Sequence, residues 1–313
     1  MFKDPRVCNV NLSQNVVAQF MGALDLKVSH SNSEQVDIAQ VFHCDGLLLC
    51  TTKDKKLVVW NPCLGETRWI QPKPNYQYYT DSTFSLGYQN NKSFRIYKIL
   101  RCWDRYEYNR KGRFEIYEFS SNSWRCVDET ALDFFCIWLR GVSLKGNTFW
   151  IAMERKEENS YVLSFDFTTE RFKRWSLPAF QNAGYVMDLS VVREENLLVL
   201  YQCYNSKEIE IWVTKKFDDN QAALSWSKYF TVDLLKINRS RNLCPTIASV
   251  VIYEEKNMVL CCSDGLRRMS MDVYITGEDD VYCKEIYYDQ EIKSRNKVLW
   301  PFIFNYAPSL VHI

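Results

Sequence analysis

One phrase recurs along this chain and limits what it can become: an apolar run of strand length, a polar turn, and a second short run carrying tryptophan. Residues 114–119 lead through the serine-rich turn 120–123 to Trp124, residues 161–167 lead through 168–171 to Trp175, and residues 209–213 lead through Lys215 to Trp226. Trp69 closes an earlier copy that begins at Cys44, so successive tryptophans stand about fifty residues apart. A second phrase, strand–acidic turn–strand, occurs at 190–200 and again at 249–260. Several strands per unit at a period of about 40–50 residues is the spacing of β-propeller blades. Closing such units into a ring removes the unpaired edges that one long open sheet would leave.

Five units are expected, at 42–70, 94–127, 141–178, 188–232 and 248–288, with residues 7–12 and 298–313 supplying strands that complete the ring. The predicted fold class is all-β: a β-propeller-like (kelch-like) ring of antiparallel four-stranded blades, six blades favoured over five. Trp69, Trp124, Trp175 and Trp226 are the expected structural aromatics of the repeat, each buried between neighbouring units. Aromatic residues make up 15% of the chain, which favours pleated, half-buried strands. Ten glycines in 313 residues is few for so many tight turns, and a two-sheet β assembly stays open. Residues 13–28 show only a loose helical spread, weakened by Gly22 and the β-branched pair Val16–Val17.

Charge and cysteine usage narrow the function. A net charge of +1 gives no general attraction for nucleic acid or an anionic membrane. No apolar run approaches the roughly 20 residues that cross a bilayer, and the first residues do not read as a signal peptide. The twelve cysteines contain no C-x-x-C pair. They read as reduced, structural thiols and fit a cytoplasmic or nuclear compartment.

Raw material for catalysis is thin. The three histidines are His30, His43 and His312. His43 and Cys44 are sequence neighbours, so on a strand they face opposite ways and do not form a nucleophilic pair. None of the common metalloprotease, phosphate-loop, dinucleotide or serine-hydrolase motifs is present. The acidic clusters fall where turns are expected. The chain is therefore expected not to be an enzyme and to hold no metal or cofactor. One segment stands out as a partner surface: residues 101–113 carry five basic against two acidic residues, with aromatics interleaved. Arg101, Trp103, Arg105, Tyr106, Tyr108 and Arg110 are the candidate partner-binding residues, because Arg, Trp and Tyr dominate interface hot spots. A solvated hairpin is the competing reading. Residues 75–79 are a weaker second candidate.

The ordered phrases from Cys44 to Cys50, Leu57 to Pro62 and Gly65 to Trp69 resemble the opening of the type 1 F-box-associated domain of plant F-box proteins. Phe84 to Tyr88, Phe94 to Lys98, Ile116 to Trp124, Leu144 to Trp150, Phe165 to Phe172 and Phe304 to Val311 follow in the same order. The resemblance spans about residues 40–313. It implies one interaction domain at 41–313 that recruits a protein substrate to an SCF-type ubiquitin ligase. Residues 1–40 hold no tryptophan and a single proline, Pro5, and do not resemble the Leu/Pro-rich helical F-box that docks on the ligase adaptor. Without that docking element, adaptor binding is not implied. The alternative is a carbohydrate- or small-ligand-binding propeller with no ligase role, its exposed aromatics stacking on sugar rings.

Overall fold

A computed structural model describes residues 7–12, 18–24, 26, 36, 38–71, 82–91, 94–103, 113–127, 135–137, 140–154, 159–181, 184–203, 208–215, 222–233, 247–253, 258–264, 270–276, 281–287 and 306–313. Among them the regular structure is β-strand throughout, in six antiparallel sheets. A short ribbon joins β1 (Val7–Leu12) to β2 (Ala18–Leu24), so the described part of the loosely helical stretch is a strand. Four-stranded sheets follow in chain order. The first is β3 (Ile38–Cys44), β4 (Leu47–Thr52), β5 (Leu57–Asn61) and β6 (Glu66–Ile70); the second is β7 (Ser82–Asn91), β8 (Phe94–Trp103), β9 (Arg113–Glu118) and β10 (Ser123–Cys126).

In the third sheet β13 (Asn147–Glu154), β14 (Ser160–Asp166) and β15 (Arg171–Trp175) are preceded by a broken first strand. Its halves, β11 (Phe135–Ile137) and β12 (Val142–Leu144), pair with opposite ends of β13. The fourth sheet is β16 (Gly184–Val192), β17 (Asn196–Cys203), β18 (Glu208–Thr214) and β19 (Trp226–Asp233). The fifth is β20 (Ile247–Tyr253), β21 (Met258–Asp264), β22 (Ser270–Thr276) and β23 (Val281–Tyr287). Each expected unit falls within one sheet, but the second sheet begins earlier than expected, because β7 supplies its first strand.

First strands of successive sheets lie side by side: β3 meets β7 and β12, β12 meets β16, and β16 meets β20. The sheets thus radiate from a common axis, as in a propeller. Their hairpins explain the scarcity of glycine. Asp45–Gly46 and Lys145–Gly146 turn with both residues at positive φ, whereas Arg193–Glu194, Lys55, Asn122 and Glu170 take the left-handed conformation with ordinary side chains. A left-handed non-glycine residue costs about 1 kcal/mol, and the flanking ladders hold it.

Packing between sheets follows from the period-2 geometry of strands. On β4 and β5, Leu47, Leu49, Leu57 and Val59 enter a seam with Phe84, Leu86, Ile99 and Tyr117 of the second sheet, while Leu48, Cys50, Val58 and Trp60 face the opposite way against Leu26 and Ile38. On β13, Trp150 and Ala152 face the second sheet with Phe114 and Ile116, whereas Phe149 and Ile151 face Leu197 and Val199 of the fourth. On β17, Leu198 and Leu200 turn to Val250 and Ile252 of the fifth. Strands β4, β5, β13 and β17 are covered on both faces, which is why their sequences read as nearly continuous apolar runs. Burying one leucine side chain in such a seam stabilises by about 1.5–3 kcal/mol.

The described end of the chain differs from expectation. Residues 306–313 form no strand but lie as a strap across the first sheet. Asn61 Nδ2 donates to the carbonyls of Ser309 and Val311 at 3.0 and 2.8 Å. Glu66 accepts the Ile313 amide at 3.2 Å and pairs with His312 Nδ1 at 2.6 Å. Gly46 lets this strap approach, since a Cβ there would stand 2.5 Å from the Ala307 carbonyl oxygen. Side-chain bonds from a buried asparagine stand in for the ladder bonds a strand would have made.

Candidate interaction surface

The repeat tryptophans sit on the last strand of their sheets. Trp124 Nε1 donates to the Gln71 carbonyl at 3.2 Å and Trp226 Nε1 to the Ser176 carbonyl at 3.0 Å. Each therefore reaches back to the chain just beyond the preceding sheet. Trp124 packs into the seam between the first two sheets and Trp226 into the seam between the third and fourth. Trp175 is buried in that second seam and donates instead to Ser164 Oγ at 2.8 Å within its own sheet. Trp69 is half-buried against the outer apolar cluster of the first sheet. The sequence period thus marks equivalent strands, but the ring is used in three ways, and Trp69 corrects the expectation that each is buried between neighbouring units, because it packs on the outer face of the first sheet.

The basic–aromatic segment does not come together as a described surface. Arg101 is a correction: it is buried, its Nε donating to Ser82 Oγ at 3.1 Å and its Nη1 standing 3.2 Å from Glu115 Oε2. It lies on β8 opposite both Phe84 and Glu115, in register with the face that enters the seam, so it pairs internally and is not offered to a partner. Removing one member of a buried pair of this kind typically costs about 3–5 kcal/mol. Trp103 ends β8. Arg105, Tyr106, Tyr108 and Arg110, like residues 75–79, lie outside the described residues.

His43, Cys44 and Cys50 carry structural roles. His43 Nε2 accepts the Gly46 amide at 3.1 Å, closing the first hairpin, and its ring lies 5.8 Å from that of Tyr306. Burial holds its pKa down at about 4, so it is neutral. Cys44 receives a bond from Ser143 Oγ at 3.1 Å, and burial still pushes its thiol up to about 12, as it does that of Cys50. A nucleophilic cysteine needs the opposite shift. Among the described residues no group of three or more His, Cys, Asp or Glu is placed to hold a metal.

Charged groups at the sheet margins are mostly engaged. Between the second and third sheets Lys98 pairs with Glu170 at 2.8 Å, and Arg125 pairs with both Glu170 and Glu118. Arg68 donates to the Phe119 carbonyl at 2.8 Å and lies over that ring. At the hairpin end of the first two sheets Asp45 holds Arg95 and the Tyr97 hydroxyl, and Phe94 beside them is 59% exposed. Lys228 is held by Glu210 at 2.6 Å. Strand β15 is different. Its sequence Arg171–Phe172–Lys173–Arg174–Trp175 carries three exposed cations and no carboxylate. The Lys173 ammonium lies 3.7 Å from the centroid of the Trp175 ring and the Arg174 guanidinium 4.9 Å from that of Tyr161. Three cations within five residues were visible in the sequence, but their place on a sheet edge was not.

Antiparallel four-stranded sheets set side by side around a common axis, with apolar seams between them, define a β-propeller domain. The chain matches the F-box associated beta propeller domain family over residues 1–313, and it belongs to that family. It is 48% identical to a putative F-box/kelch-repeat protein of Arabidopsis thaliana, At3g22730, over 99% of this chain and 80% of that one. It is 47% identical to the Arabidopsis putative F-box only protein 9, over 100% and 81%. Among solved structures it is similar to YCF48 from Cyanidioschyzon merolae, with a TM-score of 0.44 and 11% identity over 90% of this chain and 86% of that one. It is also similar to the Cps50 (Swd1) beta-propeller domain of Myceliophteria thermophila, with a TM-score of 0.40 and 10% identity over 84% and 90%.

Proposed function

We propose that this chain is a substrate-recognition module that holds a protein for ubiquitylation by an SCF-type ligase. The observation that supports this most is the family match over the whole chain, together with relatives named as F-box proteins that align across nearly all of it. The seams give the reading a physical basis. Inner strands β4, β5, β13 and β17 are covered on both faces, which supports a rigid platform with recognition falling to outer strands and hairpins. A rigid platform loses little conformational entropy when it binds.

The test is affinity capture of the tagged chain from plant cells treated with a proteasome inhibitor. A protein partner is expected whose ubiquitylation falls when the chain is depleted. Recovery of a partner whose ubiquitylation and half-life are unchanged by depletion, with no ligase subunit alongside, would sink the reading.

A further inference from the structure

We propose that the hairpin end of the first sheet is a groove for an extended peptide, filled in cis by the strap at 306–313. An extended segment of the protein partner, with aliphatic residues at alternate positions, takes the strap's place. This rests on the recruiter reading above and names the chemistry of what is recruited. The strap itself shows what the groove accepts. From Ser309 to Ile313 its residues alternate between half-buried and exposed. Val311 and Ile313 pack on the seam between the first two sheets, whereas Leu310 is 79% exposed. That alternation is the period of an extended chain.

The groove holds main chain as well as side chains. Asn61 donates to the Ser309 and Val311 carbonyls, and Glu66 accepts the Ile313 amide. Asn61 Oδ1 meanwhile accepts the Cys63 and Leu64 amides at 3.0 and 3.3 Å, so its own turn fixes the side chain that meets the strap. Such preorganisation lowers the ordering cost of binding. The bonds go to main-chain atoms that any residue except proline supplies, so they do not demand the strap's own sequence. Selection falls to the two inward aliphatic side chains and to close approach at Gly46, where a Cβ would stand 2.6 Å from the Ser309 Cβ. The strap is held less firmly than the strands. Among the described residues no backbone–backbone bond ties 306–313 to a sheet, and none of those residues is fully buried. A segment with few buried contacts opens at a lower free energy than the whole. Opening uncovers an apolar seam and the Asn61 amide, and a partner segment of the same pattern covers both again.

The probe is a fluorescein-labelled peptide with the sequence of residues 306–313, titrated against the full chain by anisotropy. The tethered strap competes, so the apparent affinity is the intrinsic one scaled by the fraction of open grooves. In the full-length V311S/I313S variant, whose own strap is weakened, the peptide is expected to bind at least about tenfold more tightly than to the unaltered chain. A peptide carrying V311D and I313D is expected to bind that variant at least about tenfold more weakly, and one carrying L310S to stay within about twofold, because only the first pair faces the groove. Equal affinity of the unaltered peptide for the two chains, with the variant melting natively, overturns the proposal. So does equal loss for the two altered peptides. Should V311S/I313S fail to fold, hydrogen exchange on the unaltered chain decides. The Val311 and Ile313 amides are expected to exchange at least about tenfold faster than those of β17, and exchange only through global unfolding overturns the proposal. A dimer that excess peptide does not dissociate would make a second copy's strap the occupant and overturn it as well. The titration uses no ligase, so its outcome is separate from that of the capture experiment.

Discussion

Asp188 shows how one side chain binds sheets together near the axis. It sits on β16 at an irregularity in the pairing with β17, fully buried, and its Oδ2 accepts the Val250 amide of the fifth sheet at 3.0 Å. Bonds from the Leu189 amide and Ser249, and the charge of Arg140, favour its carboxylate, yet burial outweighs them and raises its pKa from 3.8 to about 7. The folded value lies above the unfolded one, so the folded state binds the extra proton between them. This group's contribution to stability is full below about pH 4 and is lost as pH rises through about 7. Replacing Asp188 with asparagine is expected to flatten the dependence of urea-unfolding stability between pH 5 and pH 8. An unchanged slope in the variant would show that other groups carry it.

At the scale of the element, the repeat tryptophans do unequal work. Trp175→Ala leaves a cavity in a sealed seam and is expected to cost about 3–5 kcal/mol. Trp124→Phe keeps ring contact with Tyr117 but loses the N–H bond to Gln71, an expected loss of about 1 kcal/mol. Urea unfolding of the two variants checks the ranking, and equal costs would contradict it. Element positions were legible where an inner strand is an apolar run bounded by turn residues, as in β4, β5 and β17, and after the turn at Asp45–Gly46. Strand β7 was harder to see: Ser82, Ser85 and Gly87 break its apolar pattern although Ser85 is buried. Arg101 misled because charge composition does not reveal register; only the Glu115 opposite it shows that it turns inward. The Arg171 to Arg174 edge escaped for the converse reason, since sequence shows charge but not which strand is outermost.

For the molecule as a whole, the strap at 306–313 ties the far end of the sequence to the first sheet. Val311 and Ile313 cover the seam between the first and second sheets, and Tyr306 covers the cluster on the other face of the first. Deleting these residues is expected to leave Asn61 without its carbonyl partners, at about 1–3 kcal/mol. Hydrogen exchange should quicken across residues 57–70 and stay unchanged across 196–213. Uniform quickening would instead mean that the ring unfolds as one unit with no local role for the strap.

The alternation of inner-strand side chains between two seams has a consequence for how relatives of this chain can diverge. A polar substitution at Leu48 or at Leu49 has no solvent to turn to, because each neighbour along the strand belongs to one apolar seam or the other. Substitution is therefore expected to be costly in the middle of the first sheet and cheap at its exposed hairpin tip, where Lys53, Asp54 and Lys55 face solvent.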